Sequence, residues 1–235
     1  CGGLGQAVET AAGIMLGPMS RWPEDKVCVL IAGDRYSRHV DPTDFKTRYL
    51  FSDAVAAFLL IPKAPRPGEL VLEHASSRAL VVGQPLDALR LGNPRFVQDG
   101  YFRMRTGPVA RFTRHVLRVA QDMTNIESWS GISVIPHQAN VRLLEALKRQ
   151  VSEAHLFYTD GVAQIGNTLN ASTLFGLQDA EARGMLSDDI LLVPFGAEWM
   201  VGAIRLQRFC VLQCGCTLNI QFSRVGKLFV VRALS

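Results

Sequence analysis

The stretch Ile135-Pro136-His137-Gln138-Ala139-Asn140 decides the fold, because a strand-like pattern ends in it and a helical pattern follows it. The short apolar run Ile132–Ile135 predicts a buried strand, and the proline ends that strand because it has no N–H to give to a ladder. Apolar residues then recur at helical spacing, at Leu144, Leu147 and Val151. His137 therefore lies between a strand and a helix, where open α/β sheets carry their chemistry.

Two other stretches hold reactive or polar groups in similar positions. Gly166-Asn167-Thr168 lies between an apolar segment and a helical one, and Cys1-Gly2-Gly3 opens a helix-like run. A thiol, an imidazole and an amide together suit acyl transfer. Each group also has an ordinary interpretation: a hydrogen-bonded loop histidine, a Gly-Asn turn and a buried structural cysteine.

Composition indicates an ordinary globular protein of one large or two small domains. The chain has 235 residues, 48% apolar and 20% charged. Its net charge of +4 is too weak to indicate nucleic-acid binding, and no apolar run is long enough to span a bilayer. The spacing of Cys210, Cys214 and Cys216 fits no zinc site, so no metal is expected. We expect reduced thiols in a cytoplasmic protein.

The chain order predicts a mostly parallel sheet covered by helices. Val27–Ala32 reads as an interior strand, since it is apolar on both faces, and the turn-rich residues Pro62–Gly68 indicate a boundary between two halves. Further strands are predicted at Ala56–Ile61, Arg78–Gly83, Ile132–Ile135, His155–Tyr158, Asp189–Phe195 and Trp199–Leu206. Helices are predicted at Val8–Leu16, Pro108–Met123, Ala139–Val151 and Thr168–Gly184, with an irregular loop at 84–107.

The order and spacing of six motifs resemble those of the β-ketoacyl-ACP synthase III (ketosynthase III) group of thiolase-fold enzymes, from Cys1 to about Leu206. The motifs are Cys1-Gly2-Gly3, Asp41-Pro42-Thr43-Asp44, Thr47…Leu50-Phe51-Ser52-Asp53, Ile135-Pro136-His137-Gln138-Ala139-Asn140, Gly166-Asn167-Thr168 and Pro194-Phe195-Gly196. The resemblance implies an α/β thiolase-like fold with a complete C-terminal βαβαβαββ half, residues 68–206. Residues 1–67 would be the incomplete N-terminal half, and 207–235 an extra tail.

The resemblance also implies that the first half lacks three strands and two helices, because the chain matches the family from its third helix onward. Val27–Ala32 would then lose the neighbour it needs on one edge, leaving unpaired backbone groups and apolar surface. We expect either a fragment or a chain that a partner completes. The tail is either an extra strand or sequence never selected to fold, and its odd composition favours the second.

By resemblance, Cys1 is the nucleophile, since the positive end of a helix favours a thiolate. His137 and Asn167 are the pair that donates N–H groups to the oxygen of the enolate formed by decarboxylation. Asn140 either holds a water and orients His137 or caps its helix.

The remaining implied site residues concern substrate and carrier. Phe195, Gly196 and Ala197 occupy the place where the family has a glycine run whose backbone N–H serves an oxyanion hole. Here two glycines are replaced, and Glu198 makes the loop more acidic; a glycine-rich family segment is likewise replaced at 52–56. In the family, basic side chains near the tunnel mouth dock the acyl carrier protein, and the resemblance assigns this role to Arg142, Lys148 and Arg149. An ordinary solvent-exposed helix face explains these three charges equally well.

The resemblance implies an acyltransferase that acylates Cys1 from acyl-CoA and condenses the acyl group with malonyl-ACP in fatty-acid or polyketide biosynthesis. It implies no metal or redox cofactor, a homodimer in the full-length form, acyl carrier protein and acyl-CoA as partners, and no nucleic acid or membrane partner. Two alternatives stay open. One is acyl transfer to an alcohol or amine without condensation, and the other is a catalytically silent subunit or fragment.

Overall fold

The computed structural model describes residues 2–16, 27–45, 48–79, 106–196, 200–210 and 228–232. Within these ranges the helices are α1 (Gly3–Leu16), α2 (Thr106–Thr124), α3 (Val141–Lys148), α4 (Gly161–Ile165) and α5 (Ser172–Ala182). The strands are β1 (Cys28–Asp34), β2 (Ala54–Ile61), β3 (Leu70–Ala79), β4 (Ile132–Pro136), β5 (Leu156–Phe157), β6 (Asp189–Val193), β7 (Met200–Arg208) and β8 (Leu228–Arg232). Short 3-10 turns span Tyr36–Arg38 and Leu169–Ala171.

The eight strands form one mixed sheet in the order β1-β2-β8-β3-β7-β6-β4-β5. The pairs β1/β2, β3/β7 and β7/β6 are antiparallel, whereas β2/β8, β8/β3, β6/β4 and β4/β5 are parallel. The expected parallel alternation is therefore present at β4, β5 and β6, but the sheet as a whole is mixed. The antiparallel strand β7 joins this parallel group to β3.

Helices cover the β4–β7 part of the sheet on both faces. In β6, Ile190 and Leu192 belong to the core cluster shared with α1 and α5, while Leu191 and Val193 belong to the cluster shared with α2 and α3. Successive strand residues point to opposite faces, so β6 is the middle of three layers. This arrangement explains why its sequence is continuously apolar.

Helix α1 lies against β7 with almost no space between the two backbones. A Cβ added at Gly5 would come within 2.5 Å of the Cα of Gly202, and one added at Gly202 within 2.8 Å of the Cα of Gly5. Glycine at both positions therefore allows this close approach. As a result the first turn of α1 lies next to the start of β7.

The predicted interior position of Val27–Ala32 is wrong. Strand β1 pairs only with β2 among the described strands and forms an end of the sheet. Val29 is 50% exposed and Ile31 71% exposed, because only the opposite face of the strand packs on α1. Among the described strands β1 therefore has a neighbour on one edge only.

Two further predictions need correction. The strand predicted at Arg78–Gly83 lies earlier, at Leu70–Ala79, and residues 80–83 are outside the described ranges. The favoured interpretation of the tail is wrong for Leu228–Arg232, which form β8 between β2 and β3. Most of the irregular loop predicted at 84–107 is also outside the described ranges. No helix in those ranges is long and apolar enough to cross a membrane.

Candidate functional site

His137 lies where the sequence predicts it, just beyond the last residue of β4. Its backbone N–H donates to the Val193 carbonyl at 2.9 Å, so the pairing of β4 with β6 continues one residue past Pro136. The side chain of Gln138 donates to the carbonyls of Pro136 and Tyr158, at 2.9 and 3.2 Å. These bonds fix the backbone on both sides of His137 before α3 begins.

The imidazole of His137 is buried and held by a serine and a phenylalanine. Its Nδ1 lies 2.6 Å from the Oγ of Ser172, the first residue of α5. The Phe195 ring contacts it edge to face, with centroids 5.3 Å apart. Burial disfavours the charged ring and lowers the pKa of His137 to about 3. The imidazole is therefore neutral at physiological pH.

The backbone of Asn167 is held by the segment that precedes β2. Its N–H donates to the Leu50 carbonyl at 2.8 Å, and its carbonyl accepts from the Ser52 N–H at 2.9 Å. Gly166 has φ +73°, and a Cβ there would come within 2.5 Å of Ser52 Oγ, so this position requires glycine. Two motifs that are far apart in sequence thus form one bridge between the halves of the chain.

The side chain of Asn167 is buried and oriented by two further bonds. Its Nδ2 donates to the Ala139 carbonyl at 3.1 Å, and its Oδ1 accepts from the Leu169 N–H at 3.0 Å. Leu169 has φ +53°, a left-handed conformation that is costly for a residue with a side chain and that clusters at functional sites. The amide of Asn167 is therefore held in place by its own loop and by the residues that follow His137.

The first turn of α1 reaches the same place. The Oδ1 of Asn170 is the nearest heavy atom to a Cβ built on Gly3, at 3.7 Å, and a Cβ on Gly2 would meet Met200. The amide of Asn170 is tied to β1, because its backbone and side-chain N–H groups both donate to Asp34 Oδ2, at 3.1 and 3.0 Å. The N-terminal end of α1 thus lies beside the loop that holds Asn167 and contacts His137.

The residues predicted to line the substrate site have mixed roles. Asn140 is the N-cap of α3, because its Oδ1 accepts from the Leu143 N–H at 2.9 Å. Phe195 packs on His137, and the N–H of Gly196 donates to the Met200 carbonyl at 3.0 Å. Cys1 and Ala197 lie outside the described residues, so their predicted roles stay predictions.

The three basic residues are exposed but do not form a compact cluster. Arg142 is in the first turn of α3, whereas Lys148 ends the helix and Arg149 is its C-cap. At about 1.5 Å per residue, Arg142 and Lys148 are roughly 9 Å apart along the axis. At about 100° per residue, Lys148 also lies roughly 120° around the helix axis from Arg142, so the three side chains do not share one side of α3.

Sequence reasoning missed Ser172, Leu169 and Asn170. All three fall in the region predicted as one helix, Thr168–Gly184, but Leu169–Ala171 is a 3-10 turn and α5 begins only at Ser172. The signal was the spacing itself: a polar residue follows Asn167 at Asn170 and again at Ser172. Polar residues at a helix start are usual as caps, so the sequence does not distinguish them from site residues.

Comparison with known proteins gives two matching family profiles. 3-Oxoacyl-[acyl-carrier-protein] synthase III matches residues 1–83, and the C-terminal profile of the same synthase matches residues 130–208. Together the two segments cover more than half of the chain. They contain every site residue named above, including the Gly2–Gly3 turn, His137 and Asn167.

Curated relatives agree with the profiles. A β-ketoacyl-[acyl-carrier-protein] synthase III of Geobacillus kaustophilus is 27% identical in an alignment 190 residues long that covers 77% of this chain and 57% of the relative. A 3-oxopimeloyl-[acyl-carrier-protein] synthase of Rhodothermus marinus is 29% identical in an alignment 203 residues long that covers 77% of this chain and 56% of the relative. The chain thus spans between one half and two thirds of the length of these relatives.

A solved structure establishes the fold. The crystal structure of 3-oxoacyl-[acyl-carrier-protein] synthase III from Aquifex aeolicus superposes with a TM-score of 0.68 at 24% identity, covering 88% of this chain and 64% of that one. The expected thiolase-like α/β fold is confirmed. The chain resembles those proteins in architecture as well as in the order of its motifs.

Proposed function

Since the chain belongs to the ketosynthase III family, we propose that it is an acyltransferase working through a cysteine. Acyl-CoA transfers its acyl group to the Cys1 thiol, which forms a new thioester and releases CoA. Malonyl-ACP then loses CO₂, and the enolate that remains attacks the acyl group to give a β-ketoacyl product and free thiol. The named activities of the relatives support this reaction for the complete protein.

The observation that carries the proposal is the convergence of three distant segments. Gly2 and Gly3, at the start of α1, lie next to Met200 and Asn170. Asn167 is held by the residues after His137, and the His137 ring bonds Ser172. The side chains of His137 and Asn167 are both only 4% exposed. Two buried polar groups beside a helix N-terminus suit a reaction that develops negative charge on an oxygen.

Asn167 supplies one N–H to that oxygen. A primary amide has two N–H groups, and the bond to the Ala139 carbonyl uses one of them. We assign the second to the thioester oxygen of the malonyl group, where charge builds up as CO₂ leaves. His137 is the second donor of the pair, and its low pKa keeps the ring neutral.

The substrate and carrier contacts complete the proposal. In this proposal Phe195, which packs on His137, contributes to the acyl site together with its neighbours in sequence, Gly196 and Ala197. Asn140 contributes at the start of α3. The exposed basic residues of α3 and its C-cap dock the acidic acyl carrier protein: Arg142, Lys148 and Arg149. The reaction requires no metal or redox cofactor, and a homodimer in the cytoplasm stays our prediction for the full-length protein.

One sequence feature favours a second function. In the segment Gly196-Ala197-Glu198-Trp199 two of the family's glycines are replaced, which makes the loop bulkier and adds the carboxylate of Glu198. An alcohol or amine gives up a proton when it attacks the acyl group, and a carboxylate in the loop suits a reaction that needs a proton acceptor. Acyl transfer to an alcohol or amine is therefore the alternative. The exposed apolar face of β1 supports the third option, a subunit that completes a partner chain.

The proposal is tested by labelling with an acyl-CoA and measuring intact mass. We expect one acyl adduct, which is lost in Cys1→Ala and retained in Cys28→Ala and Cys210→Ala. Malonyl-ACP should then discharge the adduct and yield CO₂. An adduct that maps to Cys28 or Cys210 contradicts the assignment of the nucleophile, and discharge by an alcohol or amine alone supports the second function.

A further inference from the structure

The hydroxyl of Ser172 lies at the centre of a small buried network. The residue has no exposed surface. Its Oγ is 2.6 Å from His137 Nδ1, 2.8 Å from the Leu169 carbonyl oxygen and 3.2 Å from the backbone N of Gln138. The Gln138 N–H donates to it, so one lone pair of the oxygen is occupied. The single hydroxyl proton therefore goes either to Nδ1 or to the Leu169 carbonyl.

The direction of that proton decides which ring nitrogen of His137 carries hydrogen. A neutral imidazole has one N–H, and the partner of one nitrogen fixes the state of the other. If Ser172 donates to Nδ1, the ring proton is on Nε2. If Ser172 donates to Leu169, Nδ1 keeps the proton and donates to the serine, and Nε2 has only a lone pair.

We propose that Ser172 is a positioning residue that donates to Nδ1 and thereby holds His137 as the Nε2–H tautomer. The Leu169 carbonyl already accepts the backbone N–H of Ser172, so it does not need the hydroxyl. Donation by the Gln138 N–H polarises the serine and makes its own proton a better donor. The distance from Ser172 Oγ to His137 Nδ1, 2.6 Å, is also shorter than the 2.8 Å to the Leu169 carbonyl oxygen.

This inference rests on the proposed function, because a neutral His137 donates to an enolate oxygen only from Nε2–H. Burial keeps the ring neutral, and Ser172 keeps the proton on the nitrogen that does not face the serine. The Phe195 ring packs edge to face on the same imidazole and limits its rotation. The two effects together present a fixed N–H donor.

Nitrogen NMR of the chain labelled at its histidine rings tests the tautomer directly, because bare and protonated ring nitrogens resonate far apart. The signals of His137 are those lost in His137→Ala. We expect a bare Nδ1 and a protonated Nε2 at neutral pH. A protonated Nδ1 with a bare Nε2 overturns the proposal, and this outcome needs no variant and no substrate.

The variant Ser172→Ala tests the cause. Without the hydroxyl, Ser172 no longer donates to Nδ1, so the preference for Nε2–H should be lost and the Nδ1–H form should be populated. The control is Ser133→Ala, which removes another fully buried hydroxyl, bonded to Ser187, and should leave the His137 signals unchanged. Unchanged signals in a folded Ser172→Ala protein contradict the role of Ser172; if that variant does not fold, the wild-type spectrum decides.

Activity separates this inference from the function on which it rests. In Ser172→Ala, malonyl decarboxylation should fall in kcat by up to the ~10²–10³-fold typical of one lost oxyanion donor, while KM stays near the wild-type value. If His137 is the Nε2–H tautomer but the chain transfers no acyl group, the proposed function is contradicted and the inference about Ser172 stands. If the chain decarboxylates malonyl-ACP fully while His137 is the Nδ1–H tautomer, the inference is contradicted and the proposed function stands.

Discussion

Strands β1 and β6 have similar sequences and very different surroundings. Both contain a run of four aliphatic residues, Val29-Leu30-Ile31-Ala32 in β1 and Ile190-Leu191-Leu192-Val193 in β6. In β6 the four aliphatic residues are buried, whereas in β1 Val29 and Ile31 are exposed. Helices cover β6 on both faces, and α1 covers β1 on one face. An apolar run therefore indicates that both faces of a strand need to be covered. It does not indicate that the described part of the chain covers both faces.

The difference extends to the neighbour of β1. Val55 in β2 pairs with Gly33 and is 62% exposed, so the exposed face continues across two strands. On the other face, α1 and β1 border a groove of about 460 Å³ lined by Ala11, Met15 and Leu30. The β1–β2 region thus exposes apolar residues that the β4–β7 region would bury.

The largest expected effect is a difference in local stability between the two regions. Backbone amides in Ile132–Ile135 and in β6 should exchange slowly with solvent, with opening free energies near the global value of about 5–15 kcal/mol. Amides of β1 should exchange through local opening that costs several kcal/mol less. Hydrogen exchange read by mass spectrometry on the purified chain gives both values. If the amides of β1 in a monomer were protected from exchange as strongly as those of β6, the two regions would not differ in local stability.

A matched pair of substitutions sharpens the same contrast. Ile190 is fully buried in β6, and Ile31 is 71% exposed in β1. Ile190→Ala should lower the free energy of unfolding by about 2–5 kcal/mol, because it leaves a cavity in packed surroundings. Ile31→Ala should change it by no more than ~0.5 kcal/mol. Urea denaturation measures both, and equal losses would show that β1 is covered in solution.

Chemistry should depend on both regions in different ways. His137→Ala removes a donor held by the covered region, so malonyl decarboxylation should fall by ~10²–10³-fold while acylation of Cys1 survives. The control is His155→Ala, since His155 is exposed and should leave both steps unchanged. Equal loss of both steps in His137→Ala would mean that the imidazole activates the thiol. Little loss of either step would favour the silent-subunit alternative.

The smallest expected effect concerns Asn140 at the start of α3. Because its side chain caps the helix, Asn140→Ala should lower the free energy of unfolding by about 1 kcal/mol, and Asn140→Asp should restore it. Both proteins are compared by urea denaturation and by KM for malonyl-ACP. If Asn140→Asp is stable but its KM rises as much as that of the alanine variant, the amide contacts substrate as well.

Much of the covered region follows from sequence period. The apolar run before Pro136 predicts β4, and the stripe through Leu144 and Leu147 predicts α3; both elements are found, and their ends differ from the prediction by a few residues. Strand β3 was harder, because its second half contains His74, Ser76 and Ser77 and does not read as a strand. Pairing with β7 along its whole length overrides that local preference.

The site divides in the same way. His137 and Asn167 were predicted from motifs, because strand ends and glycine turns leave a local pattern. Ser172 and Asn170 were not, since their importance comes from contacts with His137 and with the first turn of α1, which are distant in sequence. The exposure of β1 was not visible as such, because an apolar strand reads alike whether or not a helix covers it.

The bridge between Asn167 and the segment before β2 makes the site depend on both parts of the chain being present. Leu50 and Ser52 belong to the first part of the chain, and the backbone of Asn167, to which they are hydrogen-bonded, belongs to the second. If the chain were divided within Pro62–Gly68, the piece with Asn167 would lose the two backbone bonds to Leu50 and Ser52 and keep only the side-chain bonds to Ala139 and Leu169. Recovery of catalysis on mixing the pieces would therefore report reassembly of the whole molecule, and this bridge makes the protein suitable as a split reporter.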